Sequence, residues 1–140
     1  MRKFIVFIAG MLLVSGLFAQ GNVLGKWKTI DDETGKMKSL VEIYKKADGK
    51  LYGKILQLKP GTDQNKLCTE CTGSLKNKKI VGMEIINGLE LDDDIWEGDD
   101  GILDPEDGKF YDCKIWEENG KLQVRGYIVF FFRTQEWERP

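Results

Sequence analysis

The stretch KFYDCKIWEENGKLQVRGY, residues 109–127, shows the pattern that decides the fold of this chain. Residues 109–117 and 121–127 are rich in β-branched and aromatic side chains, and Glu118-Asn119-Gly120 separates them. Asn-Gly between two such runs is typical of a β-hairpin, because both residues tolerate the positive φ of a tight turn. We therefore predict two antiparallel strands here.

The same alternation of short runs and glycine-bearing breaks extends from Leu24 to Glu138. No long run with a helical period of 3.6 residues competes with it, so the helices that parallel crossovers need are not expected. Asp48-Gly49 and Asn87-Gly88 are further turn signals. Eight strands are predicted, at residues 25–30, 39–46, 51–58, 80–86, 94–97, 109–117, 121–127 and 133–138.

Eight sequential strands joined by turns have two exposed edges unless the first and last strands pair. We therefore predict an all-β fold, an eight-stranded antiparallel up-and-down barrel, with room for its own side chains or one small ligand. In such a meander alternate connections lie at the same end, and the long ones share one mouth. Long loops often carry function, so we expect any binding site there. These loops are residues 31–38, 59–79, 98–108 and 128–132.

The N-terminal segment has the composition of a secretory signal peptide. Arg2 and Lys3 carry positive charge, residues 4–18 are almost wholly apolar, and Ala19 is a small residue at the expected cleavage point. The apolar run is short for a membrane anchor and lacks a basic flank after it. We predict a signal peptide at residues 1–19, one domain at residues 20–140, and export to the periplasm or the medium.

The charge of the exported form disfavours nucleic acid as a partner. Removal of Arg2 and Lys3 from 21 basic residues leaves 19 against 23 acidic ones, a net charge of −4. Lys76, Lys78 and Lys79 form a single local basic cluster, whereas a polyanion-binding surface needs many clustered cations. We expect no nucleic-acid partner and no stable membrane anchor, and the sequence leaves the oligomeric state open.

The chain has no histidine, which excludes Ser-His and Cys-His nucleophiles and an imidazole metal triad. Paired acids could serve glycoside hydrolysis or bind calcium, but Trp96 and Glu97 occupy positions at which an EF-hand starting at Asp92 needs an oxygen ligand and glycine. Solvated turns are the leading interpretation. We predict a non-enzymatic protein with no catalytic residue, no metal and no cofactor. The acids concerned are Asp92, Asp93, Asp94, Glu97, Asp99, Asp100, Asp104, Glu106 and Asp107.

Three cysteines leave one unpaired. Cys68 and Cys71 form a C-x-x-C in the long third loop, and Cys113 lies in the predicted sixth strand. In an exported protein a disulfide between Cys68 and Cys71 is the leading structural interpretation, and a bridge from either one to Cys113 is the alternative. A thioredoxin-like role would need a βαβ setting, and a zinc site would need a fourth ligand.

Charged residues between apolar neighbours allow two strand registers. If Val41 and Val124 face the interior, the alternation turns Glu42, Glu84 and Arg125 to water. The reverse register would place a polar lining inside, in which Arg125 could form a bidentate pair with a ligand carboxylate. We take Tyr44, Arg125 and Tyr127 as the candidate polar anchor for a ligand.

The run Ile128-Val129-Phe130-Phe131-Phe132 breaks the alternation at the predicted mouth. One interpretation is a plug folded over the barrel end, and the other is a hydrophobic rim for a ligand or partner. Phe131 is the candidate ligand-binding residue in this run.

Two resemblances support the barrel. Gly25-Lys26-Trp27 resembles the Gly-x-Trp signature of lipocalins, in which a late arginine packs on the tryptophan. In a meander the first strand begins where the last one ends, so Trp27 and Arg139 become neighbours at the tight end. A cation-π contact between them would contribute ~0.5 to 2 kcal/mol to closure.

A longer set of elements resembles a bacterial secreted family known as domain of unknown function 2147. The resemblance covers nearly all of the predicted mature chain and implies a lipocalin-like barrel in an exported protein with no assigned activity. The chain departs from the family at residues 129–132, where members more often have small residues. The elements are residues 24–27, 40–44, 51–55, 68–71, 81–83, 101–105 and 124–127.

These observations leave three functional hypotheses. The leading one is a barrel that binds a small apolar or amphipathic molecule at the long-loop mouth. The second is a filled, ligand-free barrel that acts as a protein-interaction module in the cell envelope. The third is a carbohydrate-active enzyme that uses the loop carboxylates.

Overall fold

The computed structural model of the protein describes residues 22–140, so the predicted signal peptide lies outside the described residues. Among them the helical content is a single 3-10 turn, η1 (Gly73–Leu75). The rest is β-structure and connections. The strands are β1 (Gly25–Ile30), β2 (Met37–Lys45), β3 (Leu51–Leu58), β4 (Glu84–Asp92), β5 (Ile95–Asp104), β6 (Lys109–Glu118), β7 (Lys121–Ile128) and β8 (Phe131–Trp137).

The eight strands form one antiparallel sheet in which each strand pairs with the next along the chain. The sheet closes where Lys28 meets Glu138: the Lys28 amide donates to the Glu138 carbonyl at 2.6 Å, and the reverse bond measures 3.0 Å. This short bridge joins the two edges into a nearly closed barrel. The predicted up-and-down barrel is therefore confirmed. Within residues 22–140, no helix has the length and apolarity to cross a membrane.

The predicted bounds of the fourth and fifth strands are wrong. Asn87-Gly88 lies inside β4 instead of ending a strand, and β5 continues through residues 98–104. Gly88 and Asp100 have φ of 67° and 49°, and both lie where the strand register shifts. Each is the positive-φ residue of a β-bulge, which bends the strand without ending it. The predicted loop of residues 98–108 consequently shrinks to residues 105–108.

The last hairpin also differs from the prediction. β8 begins at Phe131, and the connection from β7 is only the two-residue turn Val129-Phe130. The one long connection at the mouth is therefore the β3–β4 insertion, residues 59–83, with the shorter β1–β2 loop, residues 31–36, beside it. The expectation that several long loops gather at the mouth holds only for these two.

The tight end of the barrel is closed by packing and by the chain termini of the domain. The Arg139 guanidinium carbon lies 3.7 Å from the Trp27 ring centroid, as the strand order requires. Its nitrogens donate to the carbonyls of Lys26 at 3.1 Å and Asn22 at 2.8 Å. The indole N–H of Trp27 donates to Val23 at 2.9 Å. Fully buried side chains fill this half of the interior: Trp27, Ile43, Leu51, Leu89, Ile115 and Leu122.

Candidate functional site

The mouth half of the barrel is hollow. It holds a cavity of about 760 Å³ that opens between the connections at the long-loop end. Val124 and Trp137 form the floor, above the packed tight half. The cavity is therefore where a small molecule has room.

One wall of the cavity is apolar. Ile55, Ile85 and Ile102 supply it from β3, β4 and β5. Ile55 and Ile85 are nearly fully buried, and Ile102 is partly buried. Leu58 extends this surface toward the mouth. A wall of this kind accepts aliphatic or aromatic groups and offers them no hydrogen bond.

The opposite wall is polar. Thr29 on β1 and Ser39 on β2 are register partners, and their buried hydroxyl oxygens lie 2.7 Å apart. Gln135 on β8 accepts a hydrogen bond from the Trp137 indole N–H at 3.3 Å. A hydroxyl keeps spare lone pairs and the Gln135 amide keeps two donors. Together these groups form a surface that can hydrogen-bond a ligand.

Two ion pairs cross the rim. The Lys38 ammonium lies 2.7 Å from the Glu106 carboxylate, and Arg133 Nε donates to Asp32 Oδ2 at 2.6 Å. The first joins β2 to the β5–β6 turn, and the second joins β8 to the β1–β2 loop. Both pairs are solvent-exposed, so they contribute little stability and can open at small cost.

Two further ionisable groups at the mouth have shifted pKa values. Burial, together with the charges of Asp107 and Glu106, raises the pKa of Asp104 above its usual range. The Tyr111 hydroxyl donates to the Asp107 carboxylate, and this bond and burial raise the pKa of Tyr111 to about 12. Tyr111 therefore stays neutral and a donor at physiological pH.

The β3–β4 insertion covers part of the mouth and is held by a disulfide. Cys68 and Cys71 are bonded and both are buried, which confirms the predicted pair. Backbone bonds from Cys68 to Lys78 and from Ile80 to Lys66 tie the two arms of the insertion together. A Cβ on Gly108 would lie 1.9 Å from the Glu70 carbonyl, so the insertion packs directly on the β5–β6 turn.

The third cysteine remains a free thiol. Cys113 is buried on the inner face of β6, and burial raises its pKa to about 12. The alternative bridge to Cys113 is therefore wrong for this structure. Among residues 22–140, no group of three or more Asp, Glu, Cys or His side chains is placed to hold a metal ion.

The candidate anchor residues lie on the outer face, which corrects the predicted polar lining. Val124 is buried and faces inward, so Arg125 and Tyr127 point away from the cavity. Arg125 instead stacks between Trp116 and Phe132, with its guanidinium carbon 4.9 and 4.2 Å from the two ring centroids. Inward apolar neighbours on the same strand decide the register, because one step would expose all of them.

Tyr44 is also outside the cavity. Its hydroxyl donates to Glu84 at 2.6 Å, and Lys46 donates to the same carboxylate at 3.0 Å. Burial and the bond to Glu84 raise the pKa of Tyr44. This cluster joins β2 to β4 on the barrel surface and does not reach the interior.

Phe131 is at the rim and does not line the cavity. The interpretation of residues 128–132 as a plug is wrong, because Val129 and Phe130 project almost fully into solvent. A two-residue turn between paired strands carries its side chains outward at the tip and cannot fold back over the opening.

Comparison with known families decides the classification. The model of the family described as "Uncharacterized protein conserved in bacteria (DUF2147)" matches residues 25–139, which includes every strand. The chain belongs to this family. A search of curated proteins found no match.

A solved structure supports the fold assignment of this DUF2147 protein. It is described as "Protein HP1028 from the human pathogen Helicobacter pylori belongs to the lipocalin family". The alignment has a TM-score of 0.70 at 21% identity and covers 84% of this chain and 82% of the other. At this identity the similarity establishes a lipocalin-like fold for the DUF2147 domain.

The polar wall of the DUF2147 barrel was missed by sequence reasoning. Thr29, Ser39 and Gln135 are polar, so a simple inside-apolar rule assigns them to the surface. A usable signal was present: each lies two positions from a buried side chain on the same strand, Trp27, Val41 and Trp137 respectively. Since strand side chains alternate, that spacing places all three on the inner face.

Proposed function

We propose that this protein is an exported, non-enzymatic barrel that binds one small apolar or amphipathic molecule in the mouth cavity. The observation that carries the proposal is the volume of about 760 Å³ between an apolar and a polar wall. Ligand pockets commonly measure ~300 to 1,000 Å³, with mostly apolar linings and a few polar groups. Eight-stranded barrels of the lipocalin type have room for one small ligand.

The two walls favour an amphipathic occupant. An aliphatic portion fits against Ile55, Ile85 and Ile102, while a hydroxyl, amide or carboxyl group meets Thr29, Ser39 or Gln135. The disulfide supports the exported location, because such bonds persist in oxidising compartments. The ion pairs at the rim offer an entrance that opens without breaking the core.

The test is titration with a fluorescent fatty acid, comparing the wild type with Gly126→Phe. Gly126 faces the cavity, has φ outside the left-handed region, and a Cβ there would have its nearest contact at 3.9 Å, to Tyr111. The new ring therefore enters the cavity without a backbone clash. We expect saturable binding by the wild type and at least a tenfold weaker affinity in the variant, since the ring takes the ligand's place.

Lys114→Phe is the matched control. It adds the same ring on β6, at an outward-facing position, and should bind the probe as the wild type does. Absence of saturable binding by the wild type for a panel of apolar and amphipathic probes would refute the proposal. Equal affinities for the wild type and Gly126→Phe would place the probe outside the cavity.

A second candidate function is a protein-interaction module. The outer face of β6, β7 and β8 carries the stack of Trp116, Arg125 and Phe132. Tryptophan and arginine are enriched at the energetic centres of protein interfaces. This candidate predicts that Arg125→Ala abolishes capture of a specific envelope protein, whereas Gly126→Phe leaves that capture unchanged.

A further inference from the structure

The tip of the β7–β8 hairpin is the most exposed apolar part of the described chain. Its consecutive residues Val129, Phe130, Phe131 and Phe132 are 88%, 94%, 64% and 55% exposed, and Ile128 before them is 40% exposed. No polar side chain interrupts the run. Because the turn has only two residues, the tip is a narrow convex projection at the mouth. We call residues 128–132 the apolar tip.

The apolar tip by itself is smaller than a stable protein interface. A phenylalanine side chain offers ~150 to 250 Å² when buried, so the three rings at these exposures present on the order of 400 Å², and Val129 and Ile128 add a smaller apolar area. A stable protein–protein interface buries about 800 Å² on each partner. Binding to a lipid surface needs a smaller apolar area, because a few apolar side chains can enter the boundary between headgroups and acyl chains.

Charge at the mouth does not select an anionic lipid surface. The β3–β4 insertion carries Lys59, Lys66, Lys76, Lys78 and Lys79 against Asp63 and Glu70, a local net charge of +3. The β1–β2 loop, residues 31–36, and the β5–β6 turn, residues 105–108, have a net charge of −2 each, so the connections at the mouth sum to −1. The apolar side chains of the tip, and not a charge difference between the two ends, therefore provide the attraction to a lipid surface.

We propose that the protein docks reversibly on lipid surfaces through the apolar tip, with the mouth facing the membrane. Phe130 and Val129 enter the acyl boundary, and the lysines of the insertion lie at the headgroups. In this orientation the cavity opens directly onto the lipid. Val129 and Phe130 do not line the cavity, so docking through them is separable from ligand binding.

The experiment is vesicle flotation with protein recovered from the export compartment of an expressing bacterium, its N-terminus defined by intact mass. Vesicles are phosphatidylcholine, with or without about 30% phosphatidylglycerol. We expect the wild type to bind both kinds of vesicle with similar affinity and with little dependence on salt, because the apolar tip provides the attraction. Phe130→Ser should lower the partition coefficient about tenfold or more, as expected for losing one fully transferred phenylalanine. Leu91→Ser, a partly exposed leucine near the tight end, should bind as the wild type does.

A second variant tests insertion of the tip directly, by a gain of signal and not by a loss of binding. Phe130→Trp should be quenched by lipids brominated in their acyl chains to a greater extent than the wild type, whose own tryptophans provide the baseline. Equal quenching of the two proteins, or equal flotation of wild type and Phe130→Ser, overturns the proposal. A concentration-dependent dimer that Phe130→Ser abolishes, without vesicle binding by the wild type, would assign the tip to a second copy of the chain instead.

Discussion

Removing the Arg139 side chain tests how the barrel is closed. Arg139→Ala deletes a guanidinium that stacks on Trp27 and donates to the carbonyls of Lys26 and Asn22. A cation-π contact of this type contributes ~0.5 to 2 kcal/mol. A hydrogen bond from a charged donor contributes up to ~1.5 to 3 kcal/mol, and less where water competes, as it does at this exposed site. We expect a loss of about 2 to 3 kcal/mol in the free energy of unfolding.

The measurement is urea unfolding followed by tryptophan fluorescence, with thermal unfolding as a second readout. For a domain of this size each kcal/mol lowers Tm by roughly 4 °C, so a fall of about 8 to 12 °C is expected. Arg139→Lys keeps the charge but not the planar fork, and should lose about half as much. Lys121→Ala is the control at the same end. Its exposed pairs with Glu136 and Glu138 should contribute less than about 0.5 kcal/mol.

Two outcomes would refute the reasoning. If the free energy of unfolding of Arg139→Ala lies within about 0.5 kcal/mol of the wild-type value, the bridge between Lys28 and Glu138 closes the barrel without help from the Arg139 side chain. If Arg139→Lys is as stable as the wild type, the planar stacking on Trp27 contributes nothing and only the positive charge matters. In either case the seam would not be held by the contact described here.

Three more predictions concern the mouth and the cysteines. Burial raises the pKa of Asp104, so ionisation of its carboxyl lowers the stability of the folded state as the pH rises through that pKa. Asp104→Asn should therefore raise Tm at pH 7 and leave it unchanged below about pH 3. A difference in Tm that is the same at both pH values would contradict this. Cys113 should react with maleimide at pH 8 only in denaturant, and equal labelling rates in native protein would show that the thiol is accessible. Replacing both Cys68 and Cys71 with alanine should cost about 2 kcal/mol through chain entropy, and an unchanged urea midpoint would oppose that mechanism.

The strand count could be predicted from the sequence, but the ends of β4 and β5 could not. Asn87-Gly88 and Asp99-Asp100-Gly101 have the composition of tight turns, and both segments supply positive φ. A hairpin turn and a β-bulge make the same local demand on the backbone. What separates them is whether the neighbouring strand continues alongside, and that information lies in distant residues such as Leu51 and Tyr111.

The closure contact and the disulfide were predictable because each depends on one pairing that the strand order or the spacing nearly dictates. The residues that line the cavity were harder to predict. Arg125 and Tyr127 were predicted as ligand anchors because they are polar residues in an apolar strand, yet that pattern is also what an outward-facing position produces. The polar residues of the inner face do not differ from their sequence neighbours in this way. Thr29 lies in a run of mixed polarity, and Ser39 lies at a predicted strand start.

The position of the polar wall explains why the mouth half of the barrel is not filled by its own side chains. On β1 the inner face changes from Trp27 to Thr29 toward the mouth, on β7 from Val124 to Gly126, and on β8 from Trp137 to Gln135. Aliphatic side chains there would fill the space at ordinary core density and stabilise the fold by ~1.5 to 3 kcal/mol each. Gly126 has neither the positive φ nor the close contact that would require glycine. Because β7, β8, β1 and β2 are consecutive around the nearly closed barrel, these positions form one continuous surface across the cavity from Ile55 and Ile102. Small and polar residues at one depth on adjoining strands therefore leave the space open at a cost in core stability, and the proposed ligand site makes use of that space.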